Sequence, residues 1–198
     1  MTTPPQPTSP SPFAGVADSY HRFRPGIPAD VADVLTGASP RRRPRRLLDL
    51  ATGTGQVVRA MAARFDDVLA VEPDPAMAHL ARTTLAAEVP DLAVTVVESP
   101  AETFEAPAGW AADLVTISRA FHWFDRPTVL RRLEPVVRPG GVIAIFSEPS
   151  FWEYQSDWTA TVRGTVQEFL GPRRRAGRGT SSAPRRTPTS CAHRRSAR

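Results

Sequence analysis

The chain contains no lysine and one cysteine, Cys191, and no apolar run in it approaches the length of a membrane-spanning helix. With a single cysteine no internal disulfide can form, so a reducing compartment, the cytoplasm, is expected. The Pro- and Thr-rich N-terminus lacks a basic segment followed by an apolar one, so neither a secretory leader nor membrane attachment is expected. His21, His79 and His193 show no metal-ligand spacing with one another or with Cys191, so no metal is expected. The missing lysine reads as codon composition rather than chemistry, since arginine and lysine differ mainly at bidentate or stacked sites.

What charge there is sits unevenly. The formal net charge is +5, yet residues 171–198 hold nine arginines and no acid, leaving sixteen arginines against all twenty acids in residues 1–170. The body is therefore acidic, which argues against nucleic acid as a partner. The Pro/Ser/Thr/Arg tail, 171–198, is expected to be disordered, as are residues 1–12 with their five prolines. Residues 13–170 fit one domain.

Within that domain, short aliphatic and β-branched runs alternate with helical spacing. Strands are expected at 47–51, 68–72, 93–97, 113–118 and 142–147, and helices at 56–65, 75–87 and 126–137. Strands separated by helices imply right-handed crossovers and a doubly wound, mostly parallel sheet of about five strands. Asp74-Pro75 supplies an N-cap acid and a first-turn proline for the second of these helices. An earlier helix is expected from Pro28 to Leu35, ending at Gly37, with Ile27, Val31 and Val34 or Leu35 on one face. The Arg41–Arg46 run, broken by Pro44, reads as a solvated loop. Ser156 is placed to cap a last amphipathic helix carrying Trp158, Val162, Val166, Phe169 and Leu170.

The first strand, Leu47-Leu48-Asp49-Leu50-Ala51, runs into the turn Thr52-Gly53-Thr54-Gly55 just before a helix, a geometry that lets backbone N–H groups approach a ligand. The second strand ends on Glu72, an acid able to accept both hydroxyls of a ribose. Together these point to a nucleoside. A dinucleotide turn asks for G-x-G-x-x-G, and Val58 stands where the third glycine belongs, so a nicotinamide-dependent oxidoreductase is the weaker reading and a ligand without pyrophosphate the stronger.

Asp49-Leu50-Ala51-Thr52-Gly53-Thr54-Gly55 resembles the first motif of class I S-adenosylmethionine-dependent methyltransferases, with Ala51 in place of the motif's first glycine. Ala120-Phe121-His122-Trp123-Phe124-Asp125 and Arg138-Pro139-Gly140-Gly141 follow in the order seen in the methyltransferase type 11 family, in the branch carrying A-F-H-W-F-D. The resemblance runs from about Phe13 to Thr180. It implies a Rossmann-like fold and methyl transfer from S-adenosylmethionine to a small molecule. It also implies that Ala51, Gly53 and Gly55 meet the methionine part of the cofactor through their backbone. Asp49 would orient the turn or reach the amino group through water. Glu72 would hold the ribose, with Pro73 and Met77 flanking adenine. Pro100 replaces an aspartate that many relatives set against the adenine amino group, leaving the backbone at Ala101 or the carboxylate of Glu102 for that contact. Phe13, Ala17, Tyr20 and Arg24-Pro25 resemble a lid element in which Tyr20 or Arg24 contacts the cofactor's carboxylate or closes the pocket. Ser118, Phe121, His122 and Trp123 follow the fourth strand at the sheet's carboxyl edge, beside the transfer site. For His122 two roles stay open, general base toward an acceptor oxygen or nitrogen, and plain backbone bonding. Phe124 reads as packing.

The family continues past its fifth strand to an antiparallel hairpin, which is not expected here. Beyond Gly171 the apolar periodicity stops, and a frameshift or mis-called end near Thr180 is one reading, a short natural variant another. Either leaves a sheet edge suited to self-association. An inactive remnant that at most binds cofactor is the main alternative function.

Overall fold

The structure, a computed structural model, describes residues 15, 17–147, 156–171, 175–176 and 179–180. Two helices, α1 (Ala17–Phe23) and α2 (Ala29–Ala38), precede the alternating body. That body comprises β1 (Arg46–Leu50), α3 (Gln56–Met61), β2 (Asp67–Glu72), α4 (Pro75–Glu88), β3 (Ala93–Glu98), β4 (Ala112–Ser118), α5 (Arg126–Leu133) and β5 (Val137–Phe146). The five strands form one all-parallel sheet in the order β3-β2-β1-β4-β5. The strand order reverses between β1 and β4, which creates a crevice at their carboxyl ends, the place where open α/β sheets bind ligands. The doubly wound fold expected from the alternation is thus the one observed.

Both faces are covered because the strands are apolar on both sides. Leu48, Leu50, Val115 and Ile117 pack with Phe104, Trp110, Val129 and Leu133 on one face. Leu47, Val68, Ala70 and Leu114 pack with Val58, Met61, Ala81 and Leu85 on the other. Each fully buried leucine, valine, isoleucine, methionine or phenylalanine among these contributes about 2 kcal/mol, so burial on both faces is what holds the strands together.

Several boundaries differ from expectation, each for a local reason. Helix α2 runs through Gly37 to Ala38 and closes where Ser39 N–H donates to the Thr36 carbonyl. Leu35, not Val34, takes the inward position, and Val34 is 71% exposed. The helix after the glycine turn ends at Met61 and tightens into a 3-10 turn over Ala62–Arg64. Helix α5 stops at Leu133 rather than 137, because Pro135 cannot donate into the helical ladder; a 3-10 turn over Glu134–Val136 follows. Strand β5 therefore starts at Val137, and an irregularity takes up Arg138 to Gly141 before Leu114 and Val142 come into register.

The Arg41–Arg46 run is only partly a solvated loop. Arg45 is buried, donates to the Thr36 and Ser39 carbonyls and to Ser39 Oγ, and lies over the Phe65 ring. Arg43 pairs with Asp66, and Arg46 with Asp67 at 3.1 Å. These side chains fasten the entrance of β1 to that of β2.

A second compact unit comprises residues 149–198. Its helix α6 (Asp157–Leu170) begins at a capping box in which Ser156 Oγ accepts from Thr159 N–H, the cap expected from sequence. Within the tail expected to be disordered, β6 (Arg175–Ala176) and β7 (Gly179–Thr180) form a two-residue antiparallel pair separate from the five-stranded sheet. Phe13, Cys191 and His193 lie outside the described residues. Among the described residues no helix is long and apolar enough to cross a membrane.

Candidate functional site

The glycine turn leaves β1 at the crevice. Gly55 takes φ 84° at the cap of α3, and a Cβ there would stand 2.8 Å from Leu85 Cδ1, so glycine is required for conformation and for α3–α4 packing alike. Ala51 takes φ 55° without being glycine, a strained conformation at the first residue of the turn.

Two carboxylates hold this turn. Asp49 is buried beneath it, accepting from Thr52 Oγ1 at 2.6 Å and from Thr116 Oγ1 at 2.7 Å. The strand register sets Thr116 opposite Asp49. Burial pushes the Asp49 carboxyl up to about 6; the two hydroxyl bonds pull it down and the neighbouring Glu72 charge pushes it up. Glu72 ends β2 beside the turn, with Oε2 accepting from Gly53 N–H at 2.8 Å and Oε1 from Asp74 N–H at 3.0 Å. Burial raises its pKa also, against those backbone bonds. Each Glu72 oxygen keeps a further lone pair to offer a ligand hydroxyl. Asp74 caps α4 by accepting from Met77 N–H at 2.8 Å.

Tyr20, Ala51, Gly53 and Ser118 line one cavity in the crevice. Tyr20 of α1 lies across the turn, its Cε1 3.9 Å from where a Cβ on Gly53 would be. The Arg24 guanidinium lies 5.9 Å from the Tyr20 ring centre. Gln56 and Arg119 line the same cavity, and neither was singled out from sequence. Thr52 and Thr116 were missed as well, although a threonine two residues before Ser118 on a strand beside Asp49 was a usable signal.

The expected adenine contacts are placed less uniformly. Pro73 is exposed, whereas Met77 is buried under α4. Ala101 is buried in the core, and Glu102 accepts from Asp125 N–H at 2.9 Å, tying the loop after β3 to the start of α5. Beyond β4, Phe121 to Trp123 form a 3-10 turn. Phe121 and Phe124 pack edge to face at 6.3 Å against the core. His122 is exposed, with its ring 4.9 Å from that of Trp123, and Trp123 is 67% exposed, so this tryptophan is not core packing.

A doubly wound parallel sheet with a glycine turn at its switch point and a buried acid at the end of the adjacent strand define a Rossmann-like fold with a crevice at that turn. Residues 48–145 match the family model described as a methyltransferase domain, and the chain belongs to this family. It is 32% identical over 133 residues to an uncharacterized methyltransferase of Mycobacterium tuberculosis, covering 67% of this chain and 50% of that one. It is 30% identical over 181 residues to a trans-aconitate 2-methyltransferase of Deinococcus radiodurans, covering 88% and 65%. The chain thus spans about half the length of the first of these relatives. Among solved structures it is similar to an S-adenosylmethionine-bound amino pentose methyltransferase of Micromonospora echinaspora, at 26% identity and a TM-score of 0.52, over 71% of this chain and 59% of that one.

Proposed function

We propose that the protein transfers a methyl group from S-adenosylmethionine to a small-molecule acceptor in the cytoplasm. The observation that supports this is the pair of buried carboxylates at the turn: Asp49 accepts from Thr52 and Thr116, and Glu72 accepts from Gly53 and Asp74 N–H while keeping further lone pairs beside the turn. The residues fit the cofactor. Glu72 would hold the ribose hydroxyls, the turn from Ala51 to Gly55 the methionine part, and Tyr20 would close over both.

When bound, the cofactor supplies an already activated methyl group, which leaves the protein the tasks of proximity, orientation and water exclusion. His122 and Trp123 stand at the acceptor side, where His122 can take a proton from an acceptor oxygen or nitrogen. The carboxylate acceptor of the Deinococcus relative makes a carboxylic acid the first substrate class to try.

Isothermal titration with S-adenosylhomocysteine tests the reading. Saturable one-to-one binding is expected, followed by label transfer from S-adenosylmethionine in an acceptor screen that starts with trans-aconitate. A folded chain that binds no S-adenosylhomocysteine ends the proposal. Binding without transfer to any acceptor would favour the cofactor-binding remnant.

A further inference from the structure

Helix α1 has little packing of its own. It is seven residues long, none of them is fully buried, and Phe23 at its end is 73% exposed. A helix this short is not stable in isolation, so its position comes from contacts with the body of the fold. Tyr20 supplies one of these, lying across the glycine turn at Gly53. Another comes from α3.

The left-handed Gly55 ends the glycine turn and starts α3 at Gln56, whose side chain is buried. Gln56 Nε2 donates to the Arg24 carbonyl at 2.6 Å, a contact between residues 32 positions apart. Arg24 N–H in turn donates to the Tyr20 carbonyl at 2.9 Å, so the residue that Gln56 holds is the one that closes the last turn of α1. Arg119 Nη1 reaches the next carbonyl, that of Pro25, at 3.4 Å, a longer contact from a half-buried side chain. The Gln56 bond is the tighter tether, because it is short and leaving a buried amide donor unpaired carries a desolvation cost. Gln56 also lines the crevice cavity with Tyr20 and Gly53. One side chain thus joins the cavity wall, the first turn of α3 and the end of α1.

We propose that Gln56 is a positioning residue: by holding the Arg24 carbonyl it keeps α1 and Tyr20 over the crevice cavity, and the breaking of that bond governs how fast a ligand leaves. The second half rests on the proposed cofactor reading; the first does not. The full chain and its Gln56→Met variant, which keeps the length of the side chain and removes the donor, are compared by hydrogen exchange without ligand. The amides from His21 to Arg24 are expected to exchange about five- to tenfold faster in the variant, as the loss of one hydrogen bond predicts, while those of β1 and β4 keep their rates. Equal α1 rates in the two proteins overturn the proposal. A loss of protection in β1 and β4 equal to that in α1 also overturns it, since Gln56 would then act on the whole domain. Wild-type α1 amides that exchange as fast as those of an unstructured chain overturn it without any variant.

The same two proteins are then compared for S-adenosylhomocysteine binding rates by surface plasmon resonance. Dissociation is expected to be about fivefold faster in Gln56→Met, with association not slowed, because a released α1 shortens residence without altering the turn that meets the ligand. That split between the two rates is what a merely structural glutamine would not produce. Unchanged dissociation overturns the proposal, as does an affinity lost through slower association, which marks a disturbed site instead. A wild type that binds no S-adenosylhomocysteine ends the cofactor reading and the release step with it, whereas the hold on α1 stands or falls on the exchange rates alone.

Discussion

The two ends of the crevice are built differently. On the β1–β2 side, the turn is fixed by a closed set of short bonds from buried groups: Thr52 and Thr116 to Asp49, Gly53 and Asp74 to Glu72, and Thr52 N–H to the Val71 carbonyl at 3.0 Å. On the β4–β5 side, Phe121, His122 and Trp123 form a single 3-10 turn with exposed tips, and β5 shows half-exposed isoleucines. Buried, mutually satisfied polar groups make a rigid and unique arrangement. Exposed aromatics on a short turn do not. On the proposed function, the first region would serve one invariant ligand and the second an acceptor whose shape the surrounding chain completes.

The largest test of that contrast is Glu72→Gln. An amide presents one acceptor and one donor, so one of the two N–H groups now held by Glu72 would face another N–H. Leaving a buried donor unpaired costs about 1–3 kcal/mol, and the proposed ribose contact would be weakened as well. S-adenosylhomocysteine affinity should fall about a hundredfold, the equivalent of about 2.7 kcal/mol. His122→Ala should change the same affinity by less than about threefold while lowering turnover with an acceptor that needs deprotonation. Equal losses in the two variants, read by titration calorimetry, would erase the distinction between the regions.

A second test uses pH. The Asp49 carboxyl is raised by burial from an ordinary 3.8 to about 6, so the folded protein holds this proton where the unfolded chain has released it. Stability tied to Asp49 is therefore full below about pH 4 and declines as pH rises toward about 6, by about 3 kcal/mol at the limit. Glu72 is shifted in the same direction by the same cause and adds to the slope. Asp49→Asn should remove the Asp49 share: denaturant unfolding of wild type and variant between pH 4 and 7 should give curves that diverge, the variant gaining relative stability as pH rises. Parallel curves would show that Asp49 does not titrate in that window.

How much of this was legible beforehand follows from what a residue's identity can carry. The five strands and their helices were readable because both sheet faces are buried, so β1, β2 and β4 stand out as nearly unbroken apolar runs. Asp74-Pro75 and Ser156 announced their caps, and Glu72 announced itself by standing at a strand end. Arg119 gave no such sign, because its positive φ is imposed by the neighbouring chain and glycine, the usual marker, is absent there; Ala51 was marked only by the glycine that the resemblance puts at its position. The extent of α5 was misjudged because the helical spacing outweighed Pro135. Burial of Arg45 was hidden in a run of arginines that, by composition alone, reads as solvated.

Ala51 gives a third test, and a smaller one. With φ at 55°, alanine should be less stable there than glycine by about 1 kcal/mol, partly offset by the greater freedom glycine gives the unfolded chain. Ala51→Gly should raise the thermal midpoint by a few degrees, as measured by calorimetry, and keep S-adenosylhomocysteine affinity within about twofold. A lower midpoint would mean that the methyl group of Ala51, which is partly buried against the core cluster, outweighs the strain.

The smallest effect on stability should come from β5, where the effect on association is expected instead. The two edges of the sheet are unlike. At β3, Arg82 reaches the Val96 carbonyl at 3.2 Å and lies near Glu98, so a charged side chain blunts the edge. Strand β5 pairs on one side only among the described residues, with β4, and carries Ile143 and Ile145 at 38% and 48% exposure. Their register partners Val115 and Ile117 are fully buried, so the same face passes from core to solvent within one strand spacing. An apolar edge of this kind favours pairing with a second copy. Wild type should show a sedimentation coefficient that rises with concentration, and Ile145→Lys should suppress that rise while moving unfolding free energy by no more than about 0.5 kcal/mol, as expected for a half-exposed position. Concentration-independent monomer in the wild type would remove self-association, and the acceptor side would then differ from the cofactor side in order alone.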